Sequence, residues 1–105
     1  MTVIFPHHRT KAEAISIIDK GSSDLFSGVV GSGVELADQK KEWNGSTMNF
    51  SFTGRLGFVS VPITGAISVD DVNAVVVCNL PPMVQNFIGE DKVSASIEKQ
   101  LQRLL

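Results

Sequence analysis

With 105 residues, nine Lys and Arg against eleven Asp and Glu, a formal net charge of −2 and a single cysteine, the chain has the size of one domain spanning 1–105. Its mildly acidic balance has no basic stripe for neutralising phosphates, which excludes nucleic acid as the expected partner. Cys78 alone makes neither an internal disulfide nor a zinc site, and a chain of this length buries enough surface to do without either.

The opening Met1-Thr2-Val3-Ile4-Phe5 has no basic leader and is cut short by Pro6-His7-His8. It reads as a short strand, Thr2–Phe5, rather than as a signal peptide, and the cytoplasm is the expected location. Thr10 followed by Glu13 makes a capping box that opens a helix, with Ala14, Ile15, Ile17 and Ile18 as its inward stripe. Gly21 ends or loosens that helix, although Leu25 and Phe26 continue the apolar face for another turn. Gly21-Ser22-Ser23 and the stretch from Ser27-Gly28 through Gly31-Ser32-Gly33 read as loops.

From Val34 the period changes to two. Val34 and Leu36 share one face of a strand running to Trp43, but strict alternation puts Asp38, Lys40 and Glu42 on that face and Trp43 on the other. A bulge or an exposed edge follows from that conflict. Asn44-Gly45 is a type I′ hairpin signal, after which Met48, Phe50 and Phe52 alternate. Gly54 reads as the next turn, and Leu56–Val69 as a long strand bent at Pro62 and Gly65. Asp70-Asp71 reads as a turn. Beyond it Val72, Ala74, Val76, Cys78 and Leu80 share a face, and Val75 and Val77 on the other face mark a central strand. Leu80-Pro81-Pro82 breaks the sheet, and a helix runs from there to Leu105 with Val84, Phe87, Ile88, Ala95, Ile97, Leu101, Leu104 and Leu105 inward and Gly89 as a kink. The order β-α-β-β-β-β-α implies an α+β, two-layer domain: an antiparallel sheet of four to five strands, with one N-terminal and one long C-terminal helix on one face.

Charge is unevenly spread. Residues 1–55 hold six basic and six acidic side chains, whereas 56–89 hold only Asp70 and Asp71. The charge-free run Val72–Gly89 contains Asn73, Asn79, Pro81, Pro82, Gln85 and Asn86, which excludes a membrane-spanning helix there. The uncharged middle instead implies a sheet covered on both faces, or covered on one and used for binding on the other.

No catalytic constellation emerges. His7 and His8 are adjacent on an extended chain and point opposite ways, so together they do not chelate a metal. Cys78, embedded in Val75-Val76-Val77, reads as a core residue rather than a nucleophile. Gly28, Gly31 and Gly33 miss the phosphate-cradling pattern because position 36 is Leu. Neither a cofactor nor a metal is implied, and the chain is not expected to be an enzyme. What remains is apolar. Trp43, Phe50, Phe52, Phe58 and Phe87 are mostly core material, but Phe50 and Phe52 share a face and Leu56 and Phe58 continue it. Trp43, Phe50, Phe52, Leu56 and Phe58 are therefore the candidate binding face.

These residues resemble the polyhydroxyalkanoic acid system proteins, small bacterial proteins encoded beside polyester synthesis and degradation genes. The resemblance runs over most of the chain: His8 before the first helix, Glu13-Ala14 within it, Trp43-x-Gly45, Phe50, Gly65-x-Ile67-x-Val69, Leu80-Pro81, and Ile97, Leu101 and Leu104-Leu105 at the end. This chain lacks the arginine the family usually carries shortly before that histidine, having Pro6 there, and has less charge in its second half. The resemblance implies a non-enzymatic accessory role in polyester metabolism, with the granule surface or a granule protein as partner. The element order is also similar to a reduced helix-grip domain, which would bind a hydrophobic acyl ligand, and a homodimer burying the apolar face is a further alternative.

Overall fold

The computed structural model describes residues 1–30, 33–82 and 89–105. The elements are β1 (Thr2–Pro6), α1 (Lys11–Lys20), α2 (Ser22–Val30), β2 (Glu35–Asn44), β3 (Thr47–Leu56), β4 (Val59–Val69), β5 (Asn73–Asn79) and α3 (Glu90–Leu104). All neighbouring strands are antiparallel, in the order β1-β5-β4-β3-β2. The fold is the expected α+β arrangement, with β5 an interior strand between β1 and β4.

Local chemistry sets the helix starts. Thr10 is extended at φ −71°, ψ 156°, and its hydroxyl oxygen accepts the Glu13 N–H at 3.2 Å, the first half of the expected capping box. Of the glycines expected in loops, Gly33 lies in the turn before β2 at φ +84°, Gly31 and Ser32 lie outside the described residues, and Gly21 and Gly28 belong to the helical layer. Gly21 caps α1 and α2 begins at the next residue, so the N-terminal helical layer consists of two helices rather than one. Gly28 lies inside α2, where an added Cβ would sit 2.8 Å from Gln100 Cγ of α3. An added Cβ on Gly21 would likewise meet Leu104 Cδ2 at 2.6 Å. Both glycines let α3 approach closely, a tertiary requirement that mimics a loop in sequence.

The strands bring their own corrections. The first hairpin turns at Gly45-Ser46, with Asn44 paired to Thr47 and Gly45 at φ +64°, so it follows the II′ pattern with glycine first rather than the I′ pattern. Gly54 is no turn: it pairs with Val61 in mid-strand, roofed by Val30 and Val34. The turn comes three residues later, at Gly57-Phe58, with Gly57 at φ +61°. Strand β4 therefore starts at Val59, and Leu56 ends β3. The bulge in β2 falls between Ala37 and Lys40, with Asp38 at φ +53°. Its extra residue reverses the alternation and brings Trp43 to the same face as Leu36.

The helices cover one face of the sheet. From that side the core receives Ala14, Ile18, Leu25, Phe26, Val29 and Val30, and from α3 the stripe Val93, Ile97 and Leu101. Ala95, expected inward, is exposed, because the stripe runs through Val93 at intervals of four. Gly89, at φ +84°, caps the start of α3. Val84, Phe87 and Ile88 lie outside the described residues. The sheet contributes Val3, Met48, Phe50, Phe52, Ile63, Ile67, Val69, Ala74, Val76 and Cys78. Phe26 stacks on Phe50 and Phe52 at centroid distances of 5.0 and 4.8 Å. Opposite Phe50 in the register stands Gly65, the one residue over which the ring can lie: a Cβ there would meet Phe50 Cζ at 2.6 Å as well as the Val77 carbonyl.

Candidate functional site

The register separates the five candidate residues into two groups. Phe50 and Phe52 face the helices and are buried in the Phe26 stack, so neither belongs to an exposed face. Trp43 joins them on that side through the β2 bulge, half-buried, with its indole Nε1–H donating to Asp19 Oδ1 at 2.8 Å. Lys41 reaches the same carboxylate at 3.0 Å and also donates to the Asp19 carbonyl and the Ser22 hydroxyl. The Trp43 bond, followed by the Lys41 bond, holds the Asp19 carboxyl below its ordinary value. This cluster pins the junction of α1 and α2 to the edge strand; it is a clamp, with its polar groups consumed.

The uncovered face of the sheet is not the expected apolar surface. Thr47, Asn49, Ser51 and Thr53 of β3, Ser60, Pro62, Thr64 and Ser68 of β4, and Asn79 of β5 occupy it by strict alternation. The absence of charge in the middle of the chain thus reflects hydroxyls and amides on one side and hydrocarbon on the other. Among the described residues Ile4, Val75 and Val77, adjacent on β1 and β5, with Ala66 paired to Val77, make an apolar spot there. The open edges are blunted too: β1 is short and ends at Pro6, while β2 carries the bulge and Glu35, Asp38, Lys40, Lys41 and Glu42.

Leu56 and Phe58 have the opposite fate from the core rings. They sit at the tip of the β3–β4 hairpin, Leu56 at 61% and Phe58 at 108% relative exposure, and Val59, paired with Leu56, is exposed beside them. The hairpin overhangs its neighbour: β5 reaches only to Asn79 opposite Thr64, so Pro62 lies where no described strand follows on that side and its missing donor costs nothing. Arg55, ion-paired to Asp38 at 3.8 Å, is the last charge before the tip, and 56–69 has none. With Gly54 as the turn, Val59 falls inside a strand; the Gly57-Phe58 pair between Leu56 and Val59 is the Gly-X hairpin signal that places it at the tip.

The other polar candidates are committed to structure. His7 is buried, with both ring nitrogens hydrogen-bonded, to the Arg9 N–H and the Asp70 carbonyl. Asp70 Oδ1 accepts the N–H groups of Asn73 and Val72, which hold its carboxyl below its ordinary value. Burial pushes the Cys78 thiol up to about 11, leaving it protonated and unreactive. Among the described residues no three His, Cys, Asp or Glu are grouped as a metal site requires, and no helix is long and apolar enough to cross a membrane. No family model matches the chain, and neither a curated protein nor a solved structure matches it significantly.

Proposed function

We propose that this chain is a non-enzymatic accessory domain that attaches to an apolar surface through the β3–β4 hairpin tip, with the polyester granule as that surface. The single observation that carries the reading is the placement of Leu56, Phe58 and Val59 together at an exposed turn, with no charged residue from Leu56 to Val69. An aromatic ring held in water at a two-residue turn is a poor solution for a domain that already buries Phe26, Phe50 and Phe52, and transfer to an apolar phase recovers its burial energy. The commitment of His7, Asp70 and Cys78 to structural bonds or burial supports a binding role over catalysis. The polyester follows from the resemblance of the chain to the polyhydroxyalkanoic acid system proteins, and the tip replaces the buried Phe50 and Phe52 as the attachment site.

Co-sedimentation with washed polyester granules across a salt series tests it. The wild-type chain is expected to pellet with granules independently of salt, since apolar contact is not screened, and the double variant Leu56→Ser/Phe58→Ser to stay in solution. Retained binding by a folded double variant would remove the tip as the site; failure of the wild type to bind would remove the granule as the partner.

A further inference from the structure

The segment joining β1 to α1 is held by a ring rather than by main-chain pairing alone. The His7 N–H donates to the Val72 carbonyl at 3.0 Å, and the imidazole, 1% exposed, lies beneath the β4–β5 turn. Its Nδ1 accepts the Arg9 N–H at 3.1 Å, which places the ring hydrogen on Nε2, where it donates to the Asp70 carbonyl at 2.7 Å. His8, between the two, is bent into the left-handed region at φ +53°, a conformation uncommon for residues other than glycine. The Nδ1 bond spans that residue and closes the turn. Arg9 then extends to the far end of the chain, its Nε donating to the Leu105 main-chain oxygen at 3.0 Å, while Thr10 caps α1.

We propose that the His7 ring is a pH-operated latch: its neutral form closes the left-handed turn at His8, and proton uptake at Nδ1 opens that turn. An imidazolium carries hydrogen on both nitrogens, so Nδ1–H would point at the Arg9 N–H, donor against donor, and the bond that supports His8 is lost. The charged groups around the ring come from each element packed there. The β4–β5 turn supplies the Asp70 carboxylate, with Asp71 beside it; the connecting segment supplies His8 and Arg9; the first turn of α1 supplies Lys11 and Glu13, the latter 4.0 Å from Arg9; and α3 supplies the Leu105 oxygen. The latch is independent of the hairpin tip.

The test is nitrogen-15 NMR of the intact chain between about pH 7.5 and pH 5.0, the range in which histidine changes charge. At the upper end the His7 ring is expected as the Nε2–H tautomer, with the Arg9 amide protected from hydrogen exchange by about tenfold or more after correction for the intrinsic rate. At the lower end the ring protonates and the Arg9 protection is lost, while the Ile97 amide in the middle of α3 stays protected. His8→Gly, which removes the strain in the left-handed turn, is expected to retain Arg9 protection to lower pH than the wild type; His7→Gln, where it folds, is expected to show no pH dependence of that amide. An Nδ1–H tautomer, a ring that stays neutral at about pH 5.0, or Arg9 protection unchanged while the ring protonates would each overturn the latch.

Discussion

The β3–β4 hairpin carries aromatic side chains at its base and at its tip, on one pair of strands, and they meet opposite fates. Phe50 and Phe52 are stacked under Phe26 in the core, whereas Phe58 is wholly exposed six residues beyond Phe52. Residue type does not separate them, since all three are phenylalanine. What separates them is cover: α2 lies over the base, and the tip runs past the end of β5. Burial in a two-layer domain is thus decided by where the helices end, which is a property of the other layer.

The comparison is broken most forcefully at the base. Phe52→Ala removes a ring that is 2% exposed and stacked at 4.8 Å, and should cost about 3–5 kcal/mol. Against a total stability on the order of 5–15 kcal/mol this brings the domain close to unfolding, readable by urea denaturation followed through Trp43 fluorescence. Gly65→Ala acts on the same stack from below, forcing a methyl group against the Phe50 ring and the Val77 carbonyl. The expected loss is about 1–3 kcal/mol, and combining it with Phe50→Leu should give less than the sum of the two single losses, because one of the two clashes is with the ring while that with the Val77 carbonyl remains.

A smaller effect, confined to acid, belongs to the clamp that fixes the edge strand beside that base. The Asp19 carboxyl is held below 3.8 in the fold by the Trp43 and Lys41 hydrogen bonds. In the window beneath that value the unfolded chain binds more protons than the folded one. The contribution of Asp19 to stability is therefore fully present above about pH 3.8 and is lost as pH falls through the depressed folded value. Asp19→Asn should flatten this part of the pH–stability curve, and so, in part, should Trp43→Phe, which removes the larger cause. Thermal melts between pH 2 and pH 6 would show it; identical slopes for Asp19→Asn and the wild type would mean that the clamp is absent in solution. Asp70, held low by the Asn73 and Val72 amides, contributes with the same sign, so some acid sensitivity persists in either variant.

The fates of these residues were legible in sequence only where the cause is local. Thr10 with Glu13 announces the start of α1, and the alternation of Met48, Phe50 and Phe52 or of Ala74, Val76 and Cys78 announces a buried strand face, because the hydrogen bond and the pleat act over a few residues. Gly21 does end α1, but Gly21-Ser22-Ser23 and Gly28 read as loops because nothing local distinguishes a flexible glycine from one that admits Leu104 or Gln100 of α3, some seventy residues or more away along the chain. The β2 bulge was expected, but not its position, and position decides which face Trp43 takes. Reading the uncharged middle as apolar on both sides missed that Thr, Ser and Asn alternate with its hydrocarbon. Of the five candidate residues, Leu56 and Phe58 are exposed, Phe50 and Phe52 are buried and Trp43 is half-buried, and that division follows the cover of the second layer.

The smallest effect on stability is expected at the tip, where the comparison is sharpest. Phe58→Ser changes a side chain that touches little of the folded domain, so its unfolding midpoint should move by no more than about 0.5 kcal/mol equivalent. Gly57 keeps the positive φ that the turn needs, so the hairpin geometry survives the change. The same substitution should nonetheless weaken attachment to an apolar surface, because Phe58 is the most exposed large apolar side chain among the described residues. A destabilisation as large as that of Phe52→Ala would mean that the ring is covered in solution, and cover for a tip beyond the end of β5 has to come from another molecule. Repeating the melt over a range of protein concentrations then separates the cases: a midpoint that rises with concentration identifies a second copy of the chain as that cover, and a constant one returns the ring to the domain itself.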